Sequence, residues 1–234
     1  ANVEHLLQQK GSKLRPFVRV ESQKAEFEYY DRIGSVDAVE VTSRHSDTPL
    51  ISTPHDRRQI SLRDFDWADM IDRTDRIRLL IDPASPYAQN AAWALGRKMD
   101  DIIIEAAFGT AKSGKTGGTS VSHDAASQIA VNYVESGGAT NSGLTIAKLR
   151  KAKQLLDANE TDPSDPRYII VTSKQVTDLL QTTEVTSSDF NTIKALVAGE
   201  VNTFMGFQFV RTERVAADAS SHRRVIAYAK SGLL

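Results

Sequence analysis

Residues 85–109 read SPYAQNAAWALGRKMDDIIIEAAFG, and this stretch predicts one long helix. Its apolar residues recur at spacings of three and four, which places them on one helical face. Ser85 is the predicted N-cap, Pro86 takes the first helical position and Gly109 ends the helix. Such a helix spans roughly 35 Å, so we expect it to be the spine of the molecule. The apolar face holds Tyr87, Ala91, Ala94, Leu95, Met99, Ile102, Ile103 and Ala106, and the polar face Gln89, Arg97, Asp100 and Glu105.

The composition indicates a folded protein with little overall electrostatic preference. The chain has 234 residues, 40% of them hydrophobic, with 29 basic against 30 acidic side chains and no cysteine. A chain of this kind buries a core for one or two domains, which excludes a disordered tail, a collagen and a disulfide scaffold. A net charge of −1 requires neither nucleic acid nor a membrane surface as a partner. The apolar runs fall far short of the ~20 residues that a spanning helix needs.

Upstream of the helix, the sequence predicts a basic arm and then a long β excursion. Residues 1–25 carry Lys10, Lys13, Arg15 and Arg19, which suit either nucleic-acid phosphates or, as we favour, carboxylates of a neighbour. Residues 26–63 alternate in polarity, which indicates two strands around a polar tip at 43–48. A two-stranded ribbon is only marginally stable in water. We therefore expect arm and ribbon to bury their apolar residues against other copies.

Downstream of the helix, the sequence predicts a loop and then a module of alternating helices and strands. Residues 109–143 lack periodicity and are rich in glycine, serine and threonine, which indicates a flexible loop or a short hairpin between two bodies. Helical stripes follow at 144–156, 176–180 and 193–201, and Ser173 is the predicted cap of the second. Strands are predicted at 168–171, near 207–209 and at 225–228. The fold class is therefore α+β.

One motif suggests nucleotide binding. Gly109–Thr116 reads GTAKSGKT and matches the phosphate-binding pattern G-x-x-x-x-G-K-[ST], with Lys115 and Thr116 as the reactive pair. That chemistry needs a buried strand before the loop and a helix after it, so that helix N–H groups converge on the phosphates. Here a long helix precedes the loop and glycines follow it. The nucleotide-binding enzyme therefore stays an alternative to a structural role.

No catalytic, cofactor-binding or metal-binding residues are predicted elsewhere. The five histidines are scattered without the spacing of a zinc site. Asp64, Asp66, Asp69 and Asp72 lack the glycine and distal glutamate of a calcium loop, and they more closely match a solvated or intersubunit charged face. We expect Trp67 and Trp93 to be core or contact residues rather than substrate platforms.

Five short strings of the sequence are idiosyncratic: QKGSKLRP at 9–16, YDRIG at 30–34, DWAD at 66–69, GRKMDD at 96–101 and TFMGF at 203–207. Together with the order of segments, they resemble the major capsid proteins of tailed bacteriophages with the Hong Kong 97-type fold, close to that family's podovirus-like branch. The resemblance runs along the whole chain. It implies an N-arm at 1–26, an extended loop at 27–63, a peripheral domain at 64–143 with its spine helix at 85–108, and an axial domain at 144–234.

The resemblance implies a non-enzymatic coat protein without cofactors. Its expected partners are identical subunits in pentamers and hexamers of an icosahedral shell, then scaffold, portal or decoration proteins and weak contact with packaged double-stranded DNA, with no membrane. The expected location is the virion capsid, assembled in the cytoplasm of a bacterial host. The predicted interface residues are Lys10, Arg15, Arg19, Arg44, His45, Asp47, Arg57 and Arg58.

Both chain ends differ from what the resemblance leads us to expect. Family members continue past the axial domain and return a strand to the peripheral sheet, so we expect that strand beyond Leu234 or a peripheral domain that lacks it. The chain begins with Ala1 rather than methionine, so we also expect that a leader is missing or removed.

Overall fold

The structure is a computed structural model that describes residues 7–44, 47–48, 50–70, 84–135, 140–180, 192, 195, 198, 202–218 and 220–233. By contacts, the chain divides into two units. The first unit comprises Ala1–Glu21, Phe65–Ala107 and Asp124–Leu234, and the second comprises Ser22–Asp64 and Phe108–His123. The chain therefore passes between the units four times. The four-domain division expected from the resemblance stays a prediction.

The second unit is a four-stranded antiparallel sheet. Its strands are β1 (Phe27–Ile33), β2 (His55–Ser61), β3 (Ala111–Ser113) and β4 (Thr119–Val121), hydrogen-bonded in that order. The predicted ribbon thus exists as β1 and β2, but it is not isolated. Two further strands come from residues 109–123, where the sequence predicted a flexible loop or a short hairpin between two bodies.

Glycines shape the hairpin between β3 and β4. Gly114 and Gly117 have φ values of +93° and +69°, in the region where side chains are strained. A Cβ on Gly117 would also lie 1.8 Å from Oε1 of Gln59, so that side chain would have to move. The glycine-rich composition of Gly109–Gly118 therefore has a structural cause.

The first unit contains the long helix, α1 (Ala84–Phe108). It begins one residue before the predicted start and ends immediately before Gly109, as predicted. The side chain of Ser85 lies outside the described residues, and so do residues 71–83, so the predicted cap is not described. Residues 62–70 form neither helix nor strand.

The first unit also contains a mixed sheet and two helices whose bounds lie among the described residues. The sheet has the order β6-β7-β5-β8, with β5 parallel to β7 and antiparallel to β8. Residues 192, 195 and 198 are helical, and Ile193, Leu196, Val197 and Val201 of the predicted third helix lie outside the described residues. The elements are α2 (Ile146–Ala158), β5 (Arg167–Val171), α3 (Ser173–Leu180), β6 (Thr203–Phe204), β7 (Phe207–Arg211) and β8 (Ile226–Ala229).

The main hydrophobic core lies between this sheet and its helices. Ile169, Val171 and Phe207 come from the strands, while Leu149 and Leu179 come from α2 and α3, and all five are almost fully buried. Strand β5 is buried along nearly its whole length, which explains its continuous apolar sequence. The apolar patterns that predicted these elements therefore correspond to one packed core.

The cap of α3 differs from the predicted one. The carbonyl of Thr172 accepts the first hydrogen bond of the helix, from the N–H of Val176 at 3.2 Å. Oε1 of Gln175 accepts from the N–H of Thr172 at 2.8 Å, as the third residue of a capping box does. Ser173, the predicted cap, is the first residue of the helix, and its N–H donates to Glu213 at 2.6 Å. The prediction was wrong by one residue, because the residue before the helix is Thr172 and the side chain that bonds its N–H is that of Gln175.

Lys148 of α2 fixes the end of the segment that was predicted to be flexible. Its Nζ donates to the carbonyls of Val131, Ser142 and Gly143 at 2.7, 2.7 and 2.8 Å. Burial lowers the pKa of Lys148, because its ammonium group is partly removed from water. Val131 precedes residues 136–139 in the sequence, and Ser142 and Gly143 follow them. One ammonium group therefore binds carbonyls on both sides.

Candidate functional site

The N-terminal arm is bound to α1 of its own chain through Asp100. Asp100 is fully buried, and its carboxylate accepts from Nε2 of Gln9 and Oγ of Ser12, both at 2.5 Å. It also accepts from the backbone N–H groups of Lys13 and Leu14 at 3.0 and 3.1 Å. Bonds to an ionised acceptor are among the stronger ones in proteins, and four of them offset the cost of burying the charge. The sequence placed Asp100 on the polar face of the helix, and the arm covers that face at Asp100.

Next to Asp100 the arm and the helix approach at backbone distance. A Cβ on Gly96 would lie 2.6 Å from the Cα of Gly11, so only glycine fits there. Nη1 of Arg97 donates to Oε1 of Gln8 at 2.8 Å and to the carbonyl of Gln9 at 3.1 Å. The strings QKGSKLRP and GRKMDD, quoted separately for the resemblance, thus contact each other.

The arm continues into buried contacts of the first unit. Leu14 and Val18 are buried, and the ring of Phe17 lies 5.1 Å from that of Tyr168. The N–H of Arg19 donates to the carbonyl of Leu233 at 3.0 Å. The expectation that the arm cannot bury its apolar residues within one copy is therefore wrong for residues 8–19. The spacing of Leu14, Phe17 and Val18 was the signal that could have shown this.

A second carboxylate of α1 binds the segment that follows β7. Nε and Nη2 of Arg214 each donate to the carboxylate of Asp101 at 2.6 Å, in the bidentate geometry that suits a guanidinium. The hydrogen bonds that Arg214 donates to Asp101 raise the pKa of Arg214. Adjacent aspartates therefore hold two distant segments on one helix, and the sequence analysis identified neither role.

The sheet of the second unit is held by charged cross-strand pairs. Asp31 faces Arg57 across β1 and β2, and Arg57 Nε donates to its carboxylate at 2.5 Å. Asp56 accepts from Oγ of Ser113 on β3 at 2.5 Å and from Arg32 on β1, while Arg58 Nε is 3.7 Å away. One carboxylate thus connects three strands.

These hydrogen bonds shift the acidity of both carboxylates. The pKa of Asp56 is held well below its usual range, first by the hydrogen bond from Ser113 and then by that from Arg32. The hydrogen bond from Arg57 lowers the pKa of Asp31 in the same direction. Both groups favour the ionised form, so the sheet carries fixed charges at neutral pH.

The second unit has no hydrophobic core of its own among its described residues. No hydrophobic side chain described in 22–64 or 108–123 is buried. The segment that joins β1 to β2 instead exposes a series of apolar side chains, with Leu50 100% exposed. The exposed apolar surface consists of Ile33, Val36, Val39, Val41, Leu50 and Ile51. We call these six side chains the loop patch.

The predicted interface residues divide into engaged and free side chains. Lys10 lies over the ring of Trp93 at 5.5 Å, and Arg19 pairs with Glu21 at 2.7 Å. Arg57 and Arg58 belong to the charged pairs of the sheet described above. Arg15, Arg44 and Asp47 are exposed and form no ion pair within the part of the chain that the structure describes, and His45 lies outside it.

The phosphate-binding pattern has the wrong surroundings. Lys115 and Thr116 lie in the turn between β3 and β4, so the loop does not enter a helix. The alternative of a nucleotide-binding enzyme is therefore not supported. Within the described ranges, no group of three acidic or histidine side chains could hold a metal ion, and no helix is long and apolar enough to cross a membrane.

Comparison with known protein families gives one match along the whole sequence. The family model described as Phage_capsid_2, phage capsid protein, matches residues 1–234. No curated protein matches the chain significantly in sequence.

Several solved structures share the fold. The capsid structure of the cyanophage P-SCSP1u has a TM-score of 0.66 at 14% identity, over 99% of this chain and 76% of that chain. The capsid asymmetric unit of cyanophage Pam1 has a TM-score of 0.65 at 16% identity, over 98% and 80%. A structure from Mycobacterium phage Che8 has a TM-score of 0.62 at 14% identity, over 98% and 78%. These similarities confirm the predicted fold class, the mixed helix-and-sheet fold of the Hong Kong 97 type.

Proposed function

The chain belongs to the phage capsid protein family, and from that membership we propose how it builds a shell. Its role is structural and its place is the virion capsid, as the sequence predicted. We propose that copies of it assemble as pentamers and hexamers into an icosahedral shell around double-stranded phage DNA. Assembly takes place in the cytoplasm of the bacterial host, and the protein has no enzymatic activity.

The loop patch is the observation that supports self-assembly most directly. Its six apolar side chains belong to a unit that buries no hydrophobic side chain among its described residues. Apolar surface of this kind is costly in water, since each buried methylene stabilises by about 0.8 kcal/mol. Contiguous exposed apolar surface is typical of protein interaction sites. Covering it against another copy removes that cost.

The occupant we propose for the loop patch is α1 of a neighbouring copy. That helix leaves Tyr87, Leu95 and Met99 exposed, although the apolar period predicted a buried face. Two apolar surfaces that are each exposed in the part of the chain that the structure describes are complementary in chemistry. The loop of one copy would then lie over the helix of the next, and the exposed Arg44 and Asp47, with His45, would form ion pairs at its tip. Exposed pairs of this kind contribute little energy and mainly set register.

The remaining contacts follow from the same hypothesis. Residues 144–234 would meet around the five-fold and quasi-six-fold axes as the axial domain, and residues 64–143 would form the peripheral domain. Scaffold, portal or decoration proteins would be additional partners. Contact with packaged DNA would be weak and non-specific, which a net charge of −1 favours because few phosphates would be neutralised.

Electron microscopy and sedimentation velocity of the purified full chain test this function. We expect closed shells or capsomer rings from the native chain. We expect Val41→Asp to abolish them, because a charge in the loop patch cannot be buried without a partner. The matched control is Val41→Ile, which keeps the surface apolar and should assemble. A native chain that stays monomeric at every concentration, or a Val41→Asp chain that assembles as well as the control, contradicts the proposal.

A further inference from the structure

An open groove of about 720 Å³ lies beside the N-terminal arm, within the first unit. The arm contributes Arg15, Pro16, Arg19 and Val20, and Lys230 follows β8. The lining therefore combines guanidinium and ammonium groups with apolar side chains, and Val20 is 58% exposed. None of these side chains has a role in the contacts described for the loop patch.

Two cations of the groove, Arg15 and Lys230, form no ion pair within the described ranges. Arg19 is paired with Glu21 at 2.7 Å. The groove also contains the carboxylate of Asp165, which accepts from the N–H and the hydroxyl of Ser231. Three cations against one carboxylate in the lining give the groove a surplus of positive charge next to exposed apolar surface.

Residues 64–70 have the complementary chemistry. They read DFDWADM and form neither helix nor strand, and every one of them is exposed. Asp64, Asp66 and Asp69 form no ion pair within the described ranges, while Trp67 and Met70 are exposed apolar side chains. Phe65 lies under Nζ of Lys98 at 5.1 Å, which attaches the start of the segment to α1. None of residues 64–70 lines the groove of its own chain.

We propose that the groove binds residues 64–70 of a second copy of this chain. Asp66 and Asp69 face Arg15 and Lys230, and Trp67 covers Pro16 and Val20. The inference rests on the proposed function for the presence of a second copy, but it concerns a different surface from the loop patch. A DNA backbone would satisfy the two cations and leave the apolar side chains in water, so an acidic segment with aromatic residues fits better.

The geometry of such a contact is heterologous. The groove and the segment are different surfaces of one chain, so each copy offers both and uses each once. Contacts of this type close into rings when the rotation between copies divides a full turn. The groove contact therefore adds a head-to-tail link between neighbours. This link is separate from the proposed contact between the loop patch and α1.

Charge reversal in two separate chains tests the proposal. One chain carries Arg15→Glu with Lys230→Glu, and the other carries Asp66→Lys with Asp69→Lys. Each alone should raise the critical concentration of assembly roughly tenfold or more, because like charges meet at every contact. A third chain that carries all four substitutions should assemble near the native concentration, since each reversed groove then meets a reversed segment in pentamers and hexamers alike. Sedimentation velocity and light scattering measure both quantities.

The matched control is Lys151→Glu with Lys153→Glu on α2, which changes the net charge equally and should assemble as the native chain does. The neutral pair Arg15→Gln with Lys230→Gln should have an intermediate critical concentration, and it replaces the reversed groove if that chain does not fold. A native chain that does not assemble contradicts the proposed function instead of this inference.

Three results would overturn the groove contact. The first is a native chain that assembles while both reversed chains assemble equally well. The second is loss of assembly in both reversed chains without recovery in the chain that carries all four substitutions. The third is retention of duplex DNA by the native chain that the groove reversal alone removes, which would assign the groove to phosphates.

Discussion

The sheet β1-β2-β3-β4 and the sheet β6-β7-β5-β8 each have four strands, but opposite kinds of side chain hold them. The second buries a cluster that includes Phe207, Ile169 and Val171. The first buries no hydrophobic side chain among its described residues and depends on backbone hydrogen bonds and on the charged pairs of Asp31 and Asp56. A sheet without a core is only marginally stable alone. The comparison shows that one sheet packs a hydrophobic core within a single copy, while the other has no such core among its described residues.

The largest expected effect is the difference in stability when one phenylalanine of each sheet is replaced by alanine. Phe207→Ala should lower the free energy of unfolding of the unassembled subunit by about 3 to 5 kcal/mol, because it empties a fully buried position. Phe27→Ala on β1, where the ring is 47% exposed, should cost less than about 0.5 kcal/mol. Urea unfolding measures both. A cost for Phe27→Ala as large as that for Phe207→Ala would mean that the β1 sheet has a core after all.

A smaller effect tests whether Asp100 holds the N-terminal arm on α1. Asp100→Ala should cost about 2 to 3 kcal/mol, because four donors of the arm lose their acceptor in a buried site. Trypsin should then cut after Lys10 and Lys13 at a much higher rate than in the native chain. The control is Asp37→Ala, at an exposed position on the loop between β1 and β2. Equal cleavage rates in the two variants would show that Asp100 does not hold the arm.

The smallest effect is the response of the β1 sheet to acid. The pKa values of Asp31 and Asp56 are lowered in the folded state, so their contribution to stability is present above the unfolded value of about 4 and is lost as the pH falls through the folded values. Hydrogen exchange, corrected for the intrinsic rate at each pH, should therefore show β1 and β2 losing protection below about pH 4 while β5 keeps it. Ser113→Ala should move the loss to higher pH. Simultaneous loss in both sheets would contradict the difference between them.

The sequence predicted the elements whose side chains repeat with a regular local period. Helix α1 was predicted to within one residue at its start, and β5 came from an uninterrupted apolar run. The two strands of the extended loop were predicted from alternation. In each case residues close together in sequence share one surface of the element, so a short stretch of sequence is enough to predict it.

Contacts between distant segments gave no such signal. Strand β3 has three residues, and its Lys112 pairs with Gln59 of β2 without any apolar pattern. Asp100 has the charge of a surface residue, and its burial depends on an arm that lies about 90 residues earlier in sequence. The phosphate-binding pattern follows a long helix and precedes glycines, which the sequence already showed, and the structure places it in the turn between β3 and β4. The sequence therefore did not predict the contacts between distant segments that depend on hydrogen bonds and on glycine.

The position of β3 also governs when the extended loop is completed during synthesis. Strand β2 ends at Ser61 and β3 begins at Ala111, 50 residues later, with most of α1 made in between. At bacterial translation rates the ribosome needs roughly 2.5 to 10 s for that interval. Until then, Asp56 has no Ser113 to bind and β2 has an open edge. A nascent polypeptide therefore has no completed loop to offer other copies until β3 has been synthesised.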